Sequence, residues 1–400
     1  MFLEIILAIL LGVASGIFTG LIPGVHINLV SILILSFSAI LLDIVSPVII
    51  CVFIISMAIT HTFLDSIPSI FLGAPEAETA LSVLPGHKML LEGRGYEAVM
   101  LTLIGSLFSL ILAVALSPLF KIIIETVYPY LQTVIGYVLI AASGFLILRE
   151  KKSRIWALII FLMSGVLGIG VLNLPNLQNP LFPLLSGLFG TSMLFISLSE
   201  KATIPPQKIT FPKIKKSELS KTMGSSLAAG GLCSFLPGLG PAQAAILGSE
   251  LYKKITNEGF LILVGGLNTI NMVLSFLALF LLDKARNGAV VTISKIIGIL
   301  TLENLIIFLG VTLIAGGIAT FLTIKITKVF SNLFSKVNYQ KLILSIIILI
   351  ITMVFFLSSN FIGLLILLVS TVTGIIPAKL GIGRNHLMGC LLLPTILYFI

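Results

Sequence analysis

Charged residues are scarce in this sequence: they make up 10% of its 400 residues, whereas 58% are hydrophobic. A soluble domain carries about 25% charged residues, so this chain cannot present an ordinary aqueous surface. Several apolar runs, among them 101–117 and 303–324, reach the roughly 20 residues that cross a bilayer core. The composition therefore predicts an all-α polytopic membrane protein with about 10–12 hydrophobic segments.

Cysteine and histidine are also rare, with three and four residues. Cys51, Cys233 and Cys390 lie in separate apolar segments, which argues against a disulfide framework and predicts that they act as small hydrophobic residues. The histidines show no metal-ligand spacing, and the sequence has no Walker A, G-x-S-x-G or H-E-x-x-H motif. We therefore expect neither an enzyme nor ATP-driven transport, and no metal cofactor.

The net charge of +9 comes from lysines and arginines that cluster in loops. The loop 148–154 holds four basic residues and one acid, and the stretch 200–221 holds six lysines and two glutamates. The positive-inside rule predicts that both are cytoplasmic, and we expect no nucleic-acid partner. The first segment, MFLEIILAIL, lacks a basic n-region and a cleavage site, so it predicts a membrane segment and not a removable signal peptide.

The two halves of the chain resemble each other. Pro23-Gly24 recurs as Pro237-Gly238, and SGVLG at 164–168 recurs loosely as STVTG at 370–374. These matches occur in the same order, which predicts one repeat over 1–199, a cytoplasmic linker over 200–221 and a second repeat over 222–400.

Corresponding loops of the two repeats differ in charge. The basic loop 148–154 aligns near the uncharged 356–360, and the uncharged 173–180 aligns near 378–385, which holds Lys379. A basic loop is expected on the cytoplasmic side of the membrane, and its uncharged counterpart on the other side. The sequence therefore predicts inverted-topology repeats, an arrangement typical of secondary transporters, with the N-terminus outside.

The stretches GLIPGVHINL (20–29) and FLPGLGPAQA (235–244) interrupt apolar segments with Pro-Gly pairs. In hydrocarbon such a break is tolerated only against protein or a watery cavity, and half-helix N-termini can then face a shared midplane site. A proline kink packed against a neighbouring helix is the structural alternative. The predicted substrate-binding residues are Pro23, Gly24, His26, Asn28, Pro237, Gly238, Gly240, Gln243, Asn268 and Asn271.

A polar stretch, 60–95, follows the first break and is too rich in Gly and Pro for a simple span. It predicts a re-entrant hairpin with GAPEAET at its tip. Candidates for coupling to a sodium ion or a proton are His61, Asp65, Glu76, Glu78 and Thr79, and candidates for pairing with a substrate anion are Lys88 and Arg94. Interfacial exposure and anchoring at the membrane edge are the alternatives for these charges.

The motifs SGIFTGLIPGVHINLV and AAGGLCSFLPGLGPAQAAILG, with the stretch 67–102 between them, resemble the large membrane subunit (TctA) of tripartite tricarboxylate transporters, including its archaeal branch. The resemblance covers nearly the whole chain. It implies a secondary carrier of di- or tricarboxylates that is driven by a sodium or proton gradient. It also implies two partners outside this chain, a small membrane subunit and an extracytoplasmic binding protein. Association of several copies of this chain into a homo-oligomer is a further alternative.

Several positions depart from the family pattern. Glu76 and Glu78 stand where the family usually has small residues, Ser82 stands near a frequent Asp, and His26 replaces a small residue. A second Gly-x-Pro-Gly hairpin is not evident after Asn271. The extra carboxylates of Glu76 and Glu78 argue against assuming a trianionic substrate. A carrier or flippase for a polyprenyl-phosphate or other anionic lipid is the alternative, and a membrane enzyme and a channel rank below it.

Overall fold

The structure, a computed structural model, describes residues 2–22, 27–73, 83–150, 152–175, 177, 179–199, 205–235, 240–251, 255–285, 287–334, 339–358 and 361–400. Within these ranges the chain forms helices and no strand. In chain order the helices are α1 (Phe2–Leu21), α2 (Ile27–Ser36), α3 (Ser38–Leu42), α4 (Pro47–Leu64), α5 (Ser66–Phe71), α6 (Val83–Leu91), α7 (Gly95–Ala115), α8 (Ser117–Arg149), α9 (Arg154–Leu172), α10 (Leu181–Leu185), a π-helical turn (Ser186–Thr191), α11 (Ser192–Ser199), α12 (Lys216–Phe235), α13 (Pro241–Leu251), α14 (Asn257–Leu282), α15 (Gly288–Ile297), α16 (Leu302–Phe334), α17 (Tyr339–Leu357), α18 (Phe361–Leu380), a 3-10 turn (Arg384–Met388) and α19 (Gly389–Phe399).

Eight helical stretches in the described part of the chain are long and apolar enough to cross a membrane. One of them, Pro47–Phe71, joins α4 to α5. Helix α8 is bent by 92° after Tyr130, and the count rises to nine if its two arms form one span. Two shorter apolar helices, Gly288–Ile297 and Ile343–Leu357, accompany these spans. The prediction of an all-α polytopic membrane protein is confirmed.

Helices α1 and α4 pack closely because α1 presents glycines to its neighbour. A Cβ atom at Gly12 would lie 2.7 Å from the Cβ of Ser56, and one at Gly20 would lie 3.0 Å from the Cβ of Leu64. Small residues let helix backbones approach closely in a membrane, where packing drives association. Since later residues of α1 meet later residues of α4, the two helices run side by side in the same direction.

Helices α12 and α14 form a similar parallel pair in the second half of the chain. A Cβ at Gly266 would lie 3.2 Å from the Cβ of Ser226, and one at Gly230 would lie 3.1 Å from the Cβ of Ile270. Helix α7 lies along another side of α14, where Ser106 donates to the carbonyl of Gly265 at 3.1 Å.

Helices α4 and α14 run in opposite directions. The end of α5, at Phe71, lies against Gly95. The neighbouring Arg94 pairs at 3.2 Å with Glu258, in the first turn of α14. The end of the α4–α5 span therefore lies beside the start of α14, and the two helix pairs are antiparallel to each other.

The basic linker lies at this same edge. The Oε1 atom of Gln207 accepts a hydrogen bond from the amide of Gly95 at 2.8 Å, and the amide of Lys208 donates to the carbonyl of Gly93 at 2.8 Å. The ring of Phe211 stacks edge-on against Tyr96 at 5.9 Å between centroids. The linker is thus docked where α7, α12 and α14 begin.

A second bundle joins α9 to α19 and α18 to the π-helical turn. A Cβ at Gly168 would clash with the carbonyl of Cys390, and a Cβ at Gly374 would clash with the carbonyl of Leu188. Gly168 and Gly374 are equivalent in the predicted repeats. In each contact a glycine of one half packs against a backbone carbonyl of the other half.

The loops at the ends of this bundle meet in pairs. The side-chain amide of Asn179 donates to the carbonyl of Leu357 at 3.0 Å, while Glu150 accepts from the amide of Gly383 at 3.1 Å. Inverted repeats place 173–180 on the same side of the membrane as 356–360, and 148–154 on the same side as 378–385, which agrees with these contacts. The inverted relation itself, like the division into repeats, stays a prediction.

The polar stretch 60–95 differs in one respect from the hairpin predicted for it. Residues 60–71 continue the α4–α5 span because His61 and Asp65 have hydrogen-bond partners inside the protein. The predicted tip lies in 74–82, outside the described residues.

Candidate functional site

The candidate site lies where α4 and α14 cross. His61 and Asp65 are one helical turn apart on α4, so they share a face of that helix. Their relative exposures are 2% and 3%, although each carries a strongly polar group. Polar side chains at membrane depth are costly unless they are hydrogen-bonded, which makes them functional candidates.

The carboxylate of Asp65 is held by the second half of the chain. Asn268 on α14 donates from Nδ2 to Oδ2 of Asp65 at 2.6 Å. One residue further along α14, the hydroxyl of Thr269 lies 3.5 Å from that of Thr62. These contacts join positions that are about 200 residues apart in sequence.

His61 and Asn271 each contact the broken helix of their own half. Nδ1 of His61 lies 3.2 Å from the hydroxyl oxygen of Thr19 on α1. The thiol of Cys233, on α12, donates to Oδ1 of Asn271 at 3.6 Å. All four side chains lie on the parallel pairs α1–α4 and α12–α14, so the two contacts correspond under the predicted repeat.

These side chains enclose a cavity of about 20 Å³. That volume suffices for one water molecule or one small ion. Its lining residues are Ile27, His61, Thr62, Asp65, Asn268, Asn271, Met272 and Asn287.

The N-terminus of α15 is adjacent to the cavity. Asn287 caps this helix, with its side chain accepting from the amide of Val290 at 2.9 Å. Asn28, in the first turn of α2, accepts from the amide of Ala289 at 3.2 Å. The start of a helix carries a partial positive charge. At α15 the amides of Ala289 and Val290 are already bonded to the two asparagine side chains.

The structure brings together four of the predicted site residues, His61, Asp65, Asn268 and Asn271, with Asn28 at the adjoining helix start. Gly240 precedes α13, where its carbonyl accepts from the amide of Ala244, and Gln243 is described only through its backbone in that helix. The remaining predicted positions of the breaks and of the hairpin tip lie outside the described residues: Pro23, Gly24, His26, Glu76, Glu78, Thr79, Pro237 and Gly238.

Lys88 and Arg94, which were predicted to pair with an anion, lie apart from the cavity. Lys88 is exposed on α6. Arg94 binds both carboxylate oxygens of Glu97, at 2.8 and 2.9 Å, and also Glu258. The hydrogen bond to Glu97 raises the pKa of Arg94 above its usual value, against a lowering by burial, and Glu258 adds to the rise. Its guanidinium joins the two halves at the edge of the linker.

Sequence reasoning missed Thr19, Thr62, Cys233, Met272 and Asn287. Only Asn287 carries a sequence signal, since an asparagine directly before the apolar run GAVVTISKII is typical of a helix N-cap. The others are unremarkable residues in apolar segments, and only the packing of α1 on α4 and of α12 on α14 brings them to the site.

No group of three or more His, Cys, Asp or Glu side chains in the described ranges could hold a metal ion. A larger groove of about 220 Å³ lies between α8 and α12, and it is lined by Phe120, Ile123, Ile124, Val127, Tyr128, Leu227, Ala228, Gly231 and Leu232. No basic side chain is among these lining residues. Lys284 contacts one of them, Tyr128, by a hydrogen bond to its hydroxyl at 2.9 Å and by lying 5.1 Å from the centroid of its ring.

The profile of the family described as "Tripartite tricarboxylate transporter TctA family" matches residues 6–389. An uncharacterised protein of Methanocaldococcus jannaschii is 30% identical over 406 residues, which cover 99% of each chain. No solved structure matches significantly. The chain therefore belongs to the TctA family of tripartite tricarboxylate transporters, and it is a transporter component that passes through the membrane several times.

Proposed function

We propose that the protein is a secondary carrier for small organic anions, probed first with di- and tricarboxylates, and that a sodium ion or proton bound at Asp65 drives it. One observation supports this most directly. A buried carboxyl group, a histidine and three asparagines converge on a cavity of about 20 Å³ at the crossing of the two halves.

The coupling role follows from the cost of burying a charge. An ionised carboxylate inside a membrane protein is stable only with hydrogen bonds and a compensating cation or proton. Asn268 supplies one hydrogen bond to Asp65, and the amide and hydroxyl oxygens of Asn271 and Thr62 are ligands of the kind that a hard cation prefers. Filling and emptying this cavity would change the charge at the contact between the halves.

The anion would bind near helix starts. Helices α2 and α13 begin directly after the two Pro-Gly breaks, at Ile27 and Pro241, and α15 begins beside the cavity. Such half-helix N-termini attract carboxylates in carriers with inverted repeats. The repeats 1–199 and 222–400, with the linker 200–221 between them, are part of this proposal, and the exchanged contacts of Gly168 and Gly374 support them.

The lipid-carrier alternative has no support in the described residues. A polyprenyl-phosphate carrier needs a laterally open groove with basic groups for the phosphate. The groove between α8 and α12 has apolar lining, and Arg94 is paired with carboxylates of this chain.

Family membership implies that the carrier works with other subunits. We propose a small membrane subunit and an extracytoplasmic binding protein as partners. The docked linker and the basic loop 148–154 would then face the cytoplasm, and the binding protein would approach the opposite side.

Uptake into proteoliposomes tests this proposal. Labelled di- and tricarboxylates are offered under imposed sodium or proton gradients, with the chain alone and with its small subunit and binding protein. We expect gradient-dependent uptake that Asp65→Asn abolishes and that Asp43→Asn, at an exposed C-cap, preserves. Uptake that survives in Asp65→Asn would contradict the coupling role, and failure of the complete system to take up any acid would contradict the carrier.

A further inference from the structure

Arg384 is a buried cation of the second bundle. It lies in the 3-10 turn between α18 and α19 and is 5% exposed. Its Nη2 atom donates to the carbonyl of Leu188 at 2.7 Å and to the hydroxyl of Ser192. Both partners belong to the first half of the chain, so this guanidinium lies at a contact between the halves.

The guanidinium lies beside the middle of a membrane span. Leu188 and Ser192 are two residues to either side of Gly190, the central residue of the span Leu181–Ser199. Charged side chains at this depth are rare, and they commonly mark the path of a substrate or an ion. Leu188 is also part of the π-helical turn, and π-helical turns frequently occur at functional sites.

Arg384 uses only some of its hydrogen-bond donors within the protein. A guanidinium carries five N–H donors, and in the described part of the chain its bonds start from Nη2. The Nε atom is buried and has no hydrogen-bond partner among the described residues. A buried donor of this kind requires an acceptor from outside the chain, such as a bound anion.

The carboxylate nearest in the fold is engaged by other groups. Oε2 of Glu150 accepts from the amide of Gly383 at 3.1 Å and lies 3.2 Å from Nε2 of His386, while Oε1 accepts from the amide of Lys152 at 3.3 Å. No ion pair of Arg384 with a carboxylate occurs among the described residues. The direct partners of this cation in the protein are therefore neutral.

Hydroxyl groups surround the same π-helical turn. Ser370 on α18 is fully buried, and its Oγ has no hydrogen-bond partner in the described ranges. It packs directly on Gly187 of the turn, where an added Cβ would clash with the Cβ of Ser370. The hydroxyls of Thr191 and Thr371 lie 2.6 Å apart beside them. A cation and several hydroxyl donors in one place suit a carboxylate ligand.

Helix α13, which begins after the second Pro-Gly break, packs against this bundle. Its Ile246 shares a hydrophobic core with Leu188, and its Glu250 pairs with Arg149 at the end of α8. The helix start at which we expect the anion and the turn that holds Arg384 therefore belong to elements that are in contact.

We propose that Arg384 binds a carboxylate group of the transported acid. This inference rests on the proposed carrier function and assigns a cation of this chain to the substrate. Lys88 and Arg94 do not fill that role, because Lys88 is exposed and Arg94 is held by glutamates. The planar guanidinium matches a carboxylate with two parallel hydrogen bonds, which makes the pair both strong and selective.

Binding to the purified chain tests this site without transport. Thermal unfolding in detergent is measured with succinate, citrate or chloride at equal ionic strength, since a ligand of the folded state raises the midpoint temperature. We expect the two acids to raise the midpoint of the native protein more than chloride does. Arg384→Gln should lose this difference. Arg154→Gln, which changes an exposed arginine at the start of α9, is the matched control and should keep it.

Two results of this measurement would overturn the inference. The first is a native midpoint that neither acid raises. The second is an equal rise with chloride that Arg384→Gln abolishes, because Arg384 would then hold an inorganic anion and not a carboxylate of the substrate.

Uptake distinguishes direct pairing from a role in folding. The half-saturating concentration is compared for succinate and its monoamide, or for citrate and its monoamide if the carrier accepts only the tricarboxylate. In the native carrier the loss of one carboxylate should raise this concentration about tenfold or more. In Arg384→Gln the same loss should cost much less, because the charge that paired with it is gone. A variant that is merely misfolded would keep the native ratio.

Arg384→Lys gives a second test if the glutamine variant does not fold. Lysine keeps the charge but lacks the planar fork, so the half-saturating concentration of the acid should rise while the cost of the monoamide largely persists. An unchanged concentration in Arg384→Lys would contradict the two-point contact.

The outcomes separate the two proposals. Native protein that takes up no acid in the complete system contradicts the carrier function, and the unfolding measurements still decide whether Arg384 binds carboxylates. Uptake by Arg384→Gln with the native half-saturating concentration and the native cost of the monoamide contradicts the role of Arg384 alone.

Discussion

Asp65 shows how a single buried charge depends on a residue in the other half of the chain. Its carboxylate is 3% exposed and accepts from Asn268 at 2.6 Å. Removing one partner of a hydrogen bond to a buried charge leaves that charge poorly compensated. The stability of the fold and the state of the site are therefore linked at this contact.

Asn268→Ala is expected to lower the free energy of unfolding by about 1–3 kcal/mol, since it removes a hydrogen-bond donor from a buried carboxyl group. Asn271→Ala is the matched control, because it removes only a weak thiol hydrogen bond and is expected to cost less. Thermal unfolding in detergent measures both. In a double-mutant cycle, Asp65→Asn and Asn268→Ala should be non-additive, and additive effects would contradict a direct coupling.

Glu150 and His386 form a second contact between the halves, outside the spans, with Oε2 and Nε2 3.2 Å apart. Burial lowers the pKa of His386, and the hydrogen bond to Glu150 opposes this in part. For Glu150, burial raises the pKa, but hydrogen bonds from Gly383, Lys152 and His386 outweigh it, so its pKa lies below the usual value. The folded state therefore favours neutral His386 and ionised Glu150.

The pH dependence follows from these directions. The pKa of each group is lower in the folded state than in the unfolded state. Each group therefore stabilises the fold fully at a pH above its unfolded pKa, and this contribution is lost as the pH falls. For His386 the loss begins near its usual pKa of about 6.5, and for Glu150 near about 4.3. We expect the midpoint temperature of unfolding to decrease as the pH is lowered from about 7 to about 5. The decrease should be smaller in His386→Asn. An equal slope in this variant would contradict the assignment.

Sequence reasoning at this scale found the polar residues but not their partners. His61, Asp65, Asn268 and Asn271 were identified because polar side chains stand out in apolar segments. Thr19 could not be identified in this way, since a lone threonine is common in membrane helices. Arg94 was a candidate for pairing with an anion, with anchoring at the membrane edge as the alternative, and sequence alone did not identify its partners Glu97 and Glu258.

At the scale of helices, close backbone contacts through glycine determine how the second bundle is built. Gly168 of α9 faces the carbonyl of Cys390 so closely that a Cβ would clash with it, whereas Gly170 of the same helix has no atom within 4 Å of such a Cβ. The two positions differ by two residues and therefore point to different sides of α9.

Gly168→Ala is expected to destabilise the protein by about 1–3 kcal/mol, because the added methyl group must push α9 away from α19. Gly170→Ala should be neutral or stabilising by up to about 1 kcal/mol, since alanine favours the helix. Thermal unfolding of both variants in detergent compares them directly. Similar midpoints for the two variants would show that the α9–α19 contact does not limit stability.

The helices themselves were largely predictable, because long apolar runs in a membrane protein have few alternatives to helix. The extent of the α4–α5 span was not. The polarity of 60–71 suggests a break in a sequence read alone, and only the long-range partners Thr19 and Asn268 explain how helix persists there. The number of spans was likewise not predictable, since the sequence does not show that the two arms of α8 meet at a bend of 92°.

At the scale of the whole molecule, the paired loops define which ends of the bundle lie together. Asn179 contacts Leu357 at one end, and Glu150 contacts Gly383 at the other. Helix α9 connects these two ends, so they face opposite sides of the membrane if α9 is a span.

Cysteine labelling tests this arrangement. Lys152→Cys and Lys379→Cys should react with a membrane-impermeant maleimide from the cytoplasmic side, and Asn173→Cys and Phe361→Cys from the other side. All four positions are exposed, whereas the native Cys51, Cys233 and Cys390 are buried and form no disulfide. Labelling is compared in right-side-out and inverted vesicles. Reaction of Lys152→Cys and Phe361→Cys from the same side would contradict the inverted repeats.

The crossing of α4 and α14 carries one difference between the halves that has an energetic consequence. By the correspondence that relates His61 to Asn271, Asp65 corresponds to Ser275. If the halves were identical, exchanging their conformations would turn an outward-facing carrier into an inward-facing one of equal free energy, with an equilibrium constant of one. A carboxylate in one half alone removes that degeneracy. In the proposed carrier, the resting orientation in the absence of substrate would then depend on the protonation or occupancy of Asp65, and so on the ion composition on the side from which that residue is reached.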